Sequence, residues 1–250
     1  MSGHSKWSQI KRQKGSCDLR RGQIFTKLAN AISIAVRQEK GNTNPETNFH
    51  LRLLIDKAKQ ANMPKDNISR AIERGKKNGG EENLLEEVLY EGYSKNGIAI
   101  IVQSTTDNRS RITQEIKNIF DKTGGNLSTP GSVSFLFKKI GLIRVKSKLL
   151  SADEIMLIAI DIGALDVETD EKSVFIYTKS QSLGNIKKTL EEKGIEIEES
   201  EETMEPISPI IINNKKDMEI ILSLIDRFKN HEDVQKVYTN IIIPDDLMKS

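Results

Sequence analysis

Residues 142–198 read LIRVKSKLLSADEIMLIAIDIGALDVETDEKSVFIYTKSQSLGNIKKTLEEKGIEIE, and the order of patterns in this stretch decides the fold. A short β-rich run at 142–145 comes first, and Ser151 then opens an apolar helix over 152–162. Two alternating strands at 164–168 and 174–178 precede a helix at 183–193, and a last alternating strand closes at 195–198. The sequence β-α-β-β-α-β is the split, ferredoxin-like arrangement. Phe175 and Tyr177 share one strand face there, beside Asp170 and Glu171. The basic, glycine-rich pattern of an RNA-reading sheet is missing, so both are expected in the core.

Outward from this block the chain supplies a second α+β set. Strands at 88–93 and 98–105 flank Ser-Lys-Asn-Gly, a hairpin signal. Asp107 is expected to cap a helix carrying Ile112, Ile116, Ile119 and Phe120, which stops at Gly124-Gly125. Residues 132–137 read as a strand with Val133, Phe135 and Phe137 on one face. Beyond Pro206 and Pro209, a helix at 218–228 and a strand at 234–241 provide the αβ half that the earlier segment lacks. The expectation is a middle domain of 81–137 plus 207–250, interrupted by an inserted domain at 138–206.

The front of the chain is helical. Ser5 can open a short helix with Trp7 and Ile10 on one side. After Gly22, Phe25, Leu28, Ala29, Ile32, Ala35 and Val36 recur at helical steps, and Leu51, Leu54, Ile55, Ala58 and Ala61 form a second stripe. Pro64 suits the start of a third helix with Ile68, Ala71 and Ile72 inward and Gly75 as its stop. Residues 1–80 therefore read as a helical bundle, followed by a linker at 76–83, and the whole chain as an α+β protein of three domains.

Charge divides the chain. Residues 1–80 hold 17 Lys and Arg against 6 Asp and Glu, a net +11, while the remainder carries 21 basic and 30 acidic residues, a net −9. Such asymmetry points to a polyanion as the front domain's partner. One cysteine, Cys17, excludes an intramolecular disulfide and any multi-thiolate metal site. No apolar run nears the roughly 18 residues that span a bilayer. The opening Met-Ser-Gly-His-Ser-Lys-Trp has no apolar region of a secretory signal, so a cytoplasmic location without membrane contact is expected.

Longer motifs carry a resemblance. GHSKWSQIKRQKG at the start, RGQIFTKL (21–28), LLIDKAKQANMPKDNISRAIERG (53–75), YEGY (90–93), TDNRSRI (106–112), and GGNL with GSVSFLF (124–137) resemble the YebC/PmpR family of probable transcriptional regulators. The resemblance implies a cytoplasmic three-domain protein, a helical domain and two α+β domains about a cleft. It further implies a sequence-specific DNA-binding regulator. A mitochondrial translational activator of a cytochrome oxidase subunit in the same family points instead to ribosomes working through proline-rich stretches.

The candidate nucleic-acid contacts follow from charge. Lys6, Lys11, Arg12, Lys14, Arg20 and Arg21 crowd a polar segment, a density that neutralises phosphates and releases counterions. Trp7 among them can stack on a base or anchor the tail on the bundle. Lys57, Lys59, Lys65, Arg70, Arg74, Lys76 and Lys77 extend the positive surface along the second and third helices, with a solvated basic face as the alternative. Lys65, Asn67 and Arg70 stand near the third helix's start, where a recognition helix reads bases, but no helix-turn-helix spacing is clear, and phosphate contact or plain solvation is the alternative. Arg109 and Arg111 sit in first turns where the helix dipole disfavours cations, which implies an anion or an internal carboxylate beside them.

Catalysis finds no constellation: His4, His50 and His231 are scattered, and no glycine-rich phosphate loop is complete. No enzyme activity, cofactor, metal or small-molecule substrate is expected. The acidic run from Glu191 to Glu205 is expected to be a solvated face.

Overall fold

The computed structural model describes residues 21–76, 85–146, 150–170, 173–244 and 247. The expected short helix after Ser5, and the readings of His4, Lys6, Trp7, Lys11, Arg12, Lys14, Cys17, Arg20 and Lys77, lie outside the described residues. The fold class is α+β. Two compact units are present: one covers Lys138–Glu205, and the other comprises the described residues on either side of it.

Three helices begin the larger unit: α1 (Arg21–Gln38), α2 (Phe49–Gln60) and α3 (Lys65–Lys76). Their stripes meet in one core of Leu28, Ile32, Val36, Leu51, Ile55, Ala58, Met63, Ile68 and Ala71. The turn into α2 is built on Asn48, which is fully enclosed. Its Oδ1 accepts from Leu51 N, and its Nδ2 donates to Ala35 O and Asn42 O, so one side chain caps α2 and pins the end of α1.

Strands β1 (Glu86–Tyr93) and β2 (Ala99–Thr106) form the expected antiparallel hairpin. Helix α4 (Arg109–Lys122) and the short strand β3 (Asn126–Ser128) follow. The cap of α4 is Asn108, not Asp107: Asn108 Oδ1 accepts from Arg111 N at 3.0 Å. Its neighbour is thereby left free to pair with Arg111.

Beyond the inserted unit come β8 (Ile210–Ile211), α7 (Lys215–Lys229), β9 (Val234–Thr239) and β10 (Ile241–Ile242). Strand β9 pairs antiparallel with β2, giving a sheet in the order β3-β1-β2-β9. The expected single strand at 234–241 is thus two, because Asn240 turns its Oδ1 onto Ala99 N and β10 leaves to pair with β8. Helices α4 and α7 share one core with this sheet, and the Phe120 and Phe228 rings meet there at 4.9 Å between centroids.

The segment at 132–137 corrects the strand expectation. Residues Ser134–Leu136 form a single 3-10 turn, and Phe135 is 66% exposed. The cause lies in β1. Glu91 is buried, and its carboxylate accepts from Gly131 N at 2.8 Å, Val133 N at 2.6 Å and Ser134 N at 2.8 Å. Those three N–H groups would otherwise have joined a strand ladder.

The inserted unit contains β4 (Phe137–Lys146), α5 (Ala152–Asp161), β5 (Asp166–Thr169), β6 (Ser173–Lys179), α6 (Leu183–Glu192) and β7 (Ile197–Pro206). Its sheet order, β5-β6-β4-β7, is that of the ferredoxin-like arrangement. Ser151 and Glu154 close a capping box at the start of α5. Phe175 and Tyr177 are buried with Ile140 and Leu142. The acidic run is only partly solvated. It continues as β7 to Pro206, Glu201 and Glu205 are buried, and Glu198 pairs with Arg144 at 3.1 Å and Lys146 at 2.9 Å while Glu205 pairs with Lys138 at 2.8 Å.

Burial acts to raise the Glu91 carboxyl, but the three backbone donors together outweigh it and hold the group below the ordinary carboxylate range. A depressed folded value means that its stabilisation is complete above the unfolded value and is lost as pH falls through the folded one. Glu91→Gln should therefore cost about 2 kcal/mol at neutral pH, read by denaturant unfolding. The deficit should shrink progressively as both proteins are titrated below pH ~4.

Candidate nucleic-acid interface

The approach of α1 to α3 determines which cations face outward. At Gly75 a Cβ would lie 2.5 Å from Ser33 O and 2.8 Å from Val36 Cβ, so the two helices touch backbone to backbone there. Ser33 is fully buried. Its hydroxyl donates to Ala71 O at 2.7 Å, with Ala29 O a second acceptor at 3.0 Å. With α3 fixed in this way, Ile68 and Ala71 are buried against the core and Lys65, Arg70 and Lys76 stand exposed, as do Lys59 at the end of α2 and Lys40. Among the described residues, Lys40, Lys59, Lys65 and Lys76 have no ion-pair partner.

Other cations of the bundle are engaged by side-chain and backbone partners, and by neutral acceptors more than by carboxylates. Arg74 donates from Nε to Ser33 Oγ at 2.9 Å and from Nη2 to Asn30 Oδ1 at 2.8 Å. Burial, and after it the charge of Arg37, pulls Arg74 below the ordinary arginine value. Arg37 donates to Leu85 O. Lys27 Nζ donates to Lys229 O at 2.8 Å at the end of α7, and burial, against the pull of Asp233, pushes it down to about 8. Arg52 stacks over the Phe49 ring at 5.3 Å, with Glu46 at 3.9 Å. These contacts tie the bundle together and to its neighbouring elements, while among the described residues the outer lysines have no ion-pair partner.

Each sequence-predicted residue now has a place. Lys65 and Arg70 are exposed on α3, Arg74 is on α3 but engaged with α1, and Lys57 is half-buried on α2 with a partner of its own. Arg21 begins α1. Arg70 Nη2 donates to Asn67 Oδ1 at 2.6 Å, and its Nε to Asp66 O at 3.3 Å, so two of the three residues placed for base reading hold each other. Arg109 is exposed with Glu86 at 3.6 Å.

Arg111 is committed elsewhere. Its guanidinium meets Asp233 at 2.6 Å, Glu115 at 3.3 Å, Asp107 at 3.6 Å and Glu232 at 3.8 Å. Four carboxylates explain how a cation persists in the first turn of α4 despite the dipole. Thr106 Oγ1 also donates to Asp233 at 3.1 Å. Glu115, His231 and Asp233 converge closely enough to hold a metal ion. The geometry argues against that use, since Arg111 already bridges both carboxylates. His231 Nδ1 accepts from Asp233 N at 3.2 Å, which leaves the ring proton on Nε2 facing Glu115 at 2.8 Å. Sequence reading missed this cluster because Arg111 and Asp233 are 122 positions apart.

The TACO1/YebC protein N-terminal domain family model matches residues 5–78, and the TACO1/YebC second and third domain model matches residues 85–241. The chain belongs to the TACO1/YebC family. A relative from Aquifex aeolicus is 42% identical over the whole of this chain and 99% of its own. One from Roseiflexus castenholzii is 45% identical over 99% of this chain and 97% of its own. Both are named probable transcriptional regulatory protein. The crystal structure of a conserved hypothetical protein from Aquifex aeolicus matches with a TM-score of 0.84 at 43% identity, covering 95% of this chain and 97% of that one. No described helix is long and apolar enough to cross a membrane.

Two substitutions separate the engaged from the exposed cations. Gly75→Ala gains helix propensity but meets the backbone of α1, and should lower stability by about 1–3 kcal/mol in thermal unfolding. Arg111→Met should cost roughly 2 kcal/mol and leave nucleic-acid affinity unchanged in a titration with labelled oligonucleotide.

Proposed function

We propose that the protein is a nucleic-acid-binding regulator that grips the phosphate backbone with the exposed cations of its helical bundle. The reading is carried by one observation: among the described residues Lys59, Lys65 and Lys76 stand exposed without ion-pair partners, while Lys27, Arg37 and Arg74 of the same bundle are engaged by carbonyl, hydroxyl and amide oxygens. The basic segment of residues 6–21 adds Lys6, Lys11, Arg12, Lys14, Arg20 and Arg21 to the same domain, with Trp7 available to stack. The three-domain division, with the bundle as the binding part and the two α+β parts contributing partner contacts, belongs to this proposal. So does the cytoplasmic location.

The leading target is DNA, in line with the names of the relatives. A ribosome- or RNA-bound translation factor is the second reading, favoured by the Arg70–Asn67 contact. A pair that satisfies itself has less to offer a base edge, and phosphate contacts alone carry no sequence information.

Replacing Lys59, Lys65, Arg70 and Lys76 together with Glu should abolish binding to whichever polyanion is the target, with the thermal transition retained. Protection of a defined promoter over scrambled duplex by roughly a thousandfold is the result expected for the DNA target. Sequence-neutral duplex binding together with ribosome co-sedimentation at physiological salt selects the RNA target. Binding that survives the quadruple replacement contradicts the proposed interface.

A further inference from the structure

The inserted unit carries a surface that the nucleic-acid reading does not use. Helix α5 packs on β5 and β6 through the buried Ile155 and Ala159. Its opposite side is also apolar: Leu157 is 65% exposed and Ile160 56%. Gly163, at φ +93, then closes the helix by donating to Ile160 O while Ala164 N donates to Ala159 O. That turn delivers Leu165, 51% exposed and held by its N–H on Tyr177 O at 2.7 Å. Single exposed apolar residues are ordinary, but three large ones fixed within nine positions mark an interaction surface.

The charge of this segment is of one sign. Residues 151–170 contain six Asp and Glu and no Lys or Arg. Asp153 and Asp161 are exposed beside Leu157 and Ile160, and among the described residues neither has an ion-pair partner. Asp161 lies in the last turn of α5, where the helix dipole disfavours an anion. Like-charge repulsion excludes nucleic acid and anionic lipid, and a second copy of the same face would meet its own carboxylates. What complements an apolar strip rimmed by carboxylates is an apolar strip rimmed by cations.

We propose that the outer face of α5, with Leu165, is the docking site for a basic amphipathic segment of a partner protein. Leu157, Ile160 and Leu165 take its apolar side, and Asp153 and Asp161 pair with its flanking Lys or Arg. The inference is independent of the nucleic-acid reading.

The test places a photo-crosslinker by Leu157→p-benzoylphenylalanine in the full-length protein in cells and sequences the adduct by tandem mass spectrometry. The expected adduct is one segment of a different protein, net positive, with apolar residues every three or four positions. Asp153→Lys combined with Asp161→Lys should reduce its yield about tenfold or more. Adducts only to a second copy of this chain, to lipid or to nucleic acid, no adduct at all, or a yield indifferent to the charge reversal would each overturn the proposal. Leu157→Glu should leave nucleic-acid affinity intact, so failure here and failure of the bundle's role are read separately.

Discussion

Helix α3 lies against α1 backbone to backbone at Gly75 and Ser33. Only a residue without Cβ permits that distance, and only a buried hydroxyl that bonds Ala71 O and accepts from Arg74 satisfies the polar groups enclosed by it. Everything on the outer side of α3 inherits its orientation from this contact. Rotation of α3 by one residue would bury Arg70 or Lys76 and expose Ile68 or Ala71, at a cost in apolar burial that the small core cannot absorb.

From that constraint follows a sorting of charge by job. Cations that hold the fold together end on carbonyls, hydroxyls and amides, as Lys27, Arg37 and Arg74 do, or inside a carboxylate cluster, as Arg111 does. Cations left over are lysines on the surface of α2 and α3, compact charges suited to phosphate rather than to base edges. The inserted unit is sorted in the opposite sense: Glu198 and Glu205 are paired across its sheet, while Asp153 and Asp161 remain outward. A chain close to neutral overall, at +2, is thereby two surfaces of opposite sign.

Much of the architecture was legible from sequence because its signals are local. Helical stripes such as Leu28-Ile32-Val36 and the Ser151–Glu154 box depend on residues three or four positions apart, and the ferredoxin-like order follows from their succession. The errors are places where a distant residue overrides a local pattern. Val133, Phe135 and Phe137 alternate like a strand, yet Glu91, about forty positions earlier, takes the N–H groups of Gly131, Val133 and Ser134, and Phe135 is left facing solvent. Asp107 and Asn108 are both good caps, and the Arg111 cluster assigns the acid to ion pairing and the amide to the helix. Arg74 looks like any other basic residue of α3 until Ser33 and Asn30, over forty positions away, show where it points.

The claim that the outward cations of α2 and α3, and not Arg37, Arg74 and Arg111, make the bundle's phosphate contacts is tested most directly by salt dependence. The slope of log affinity against log salt concentration for duplex DNA is to be measured for the native protein and for the variant with Lys59, Lys65 and Lys76 all changed to Ala. The slope should fall by about 0.9 for each lysine removed, with the same loss on any duplex sequence. A slope unchanged by the three replacements would contradict it.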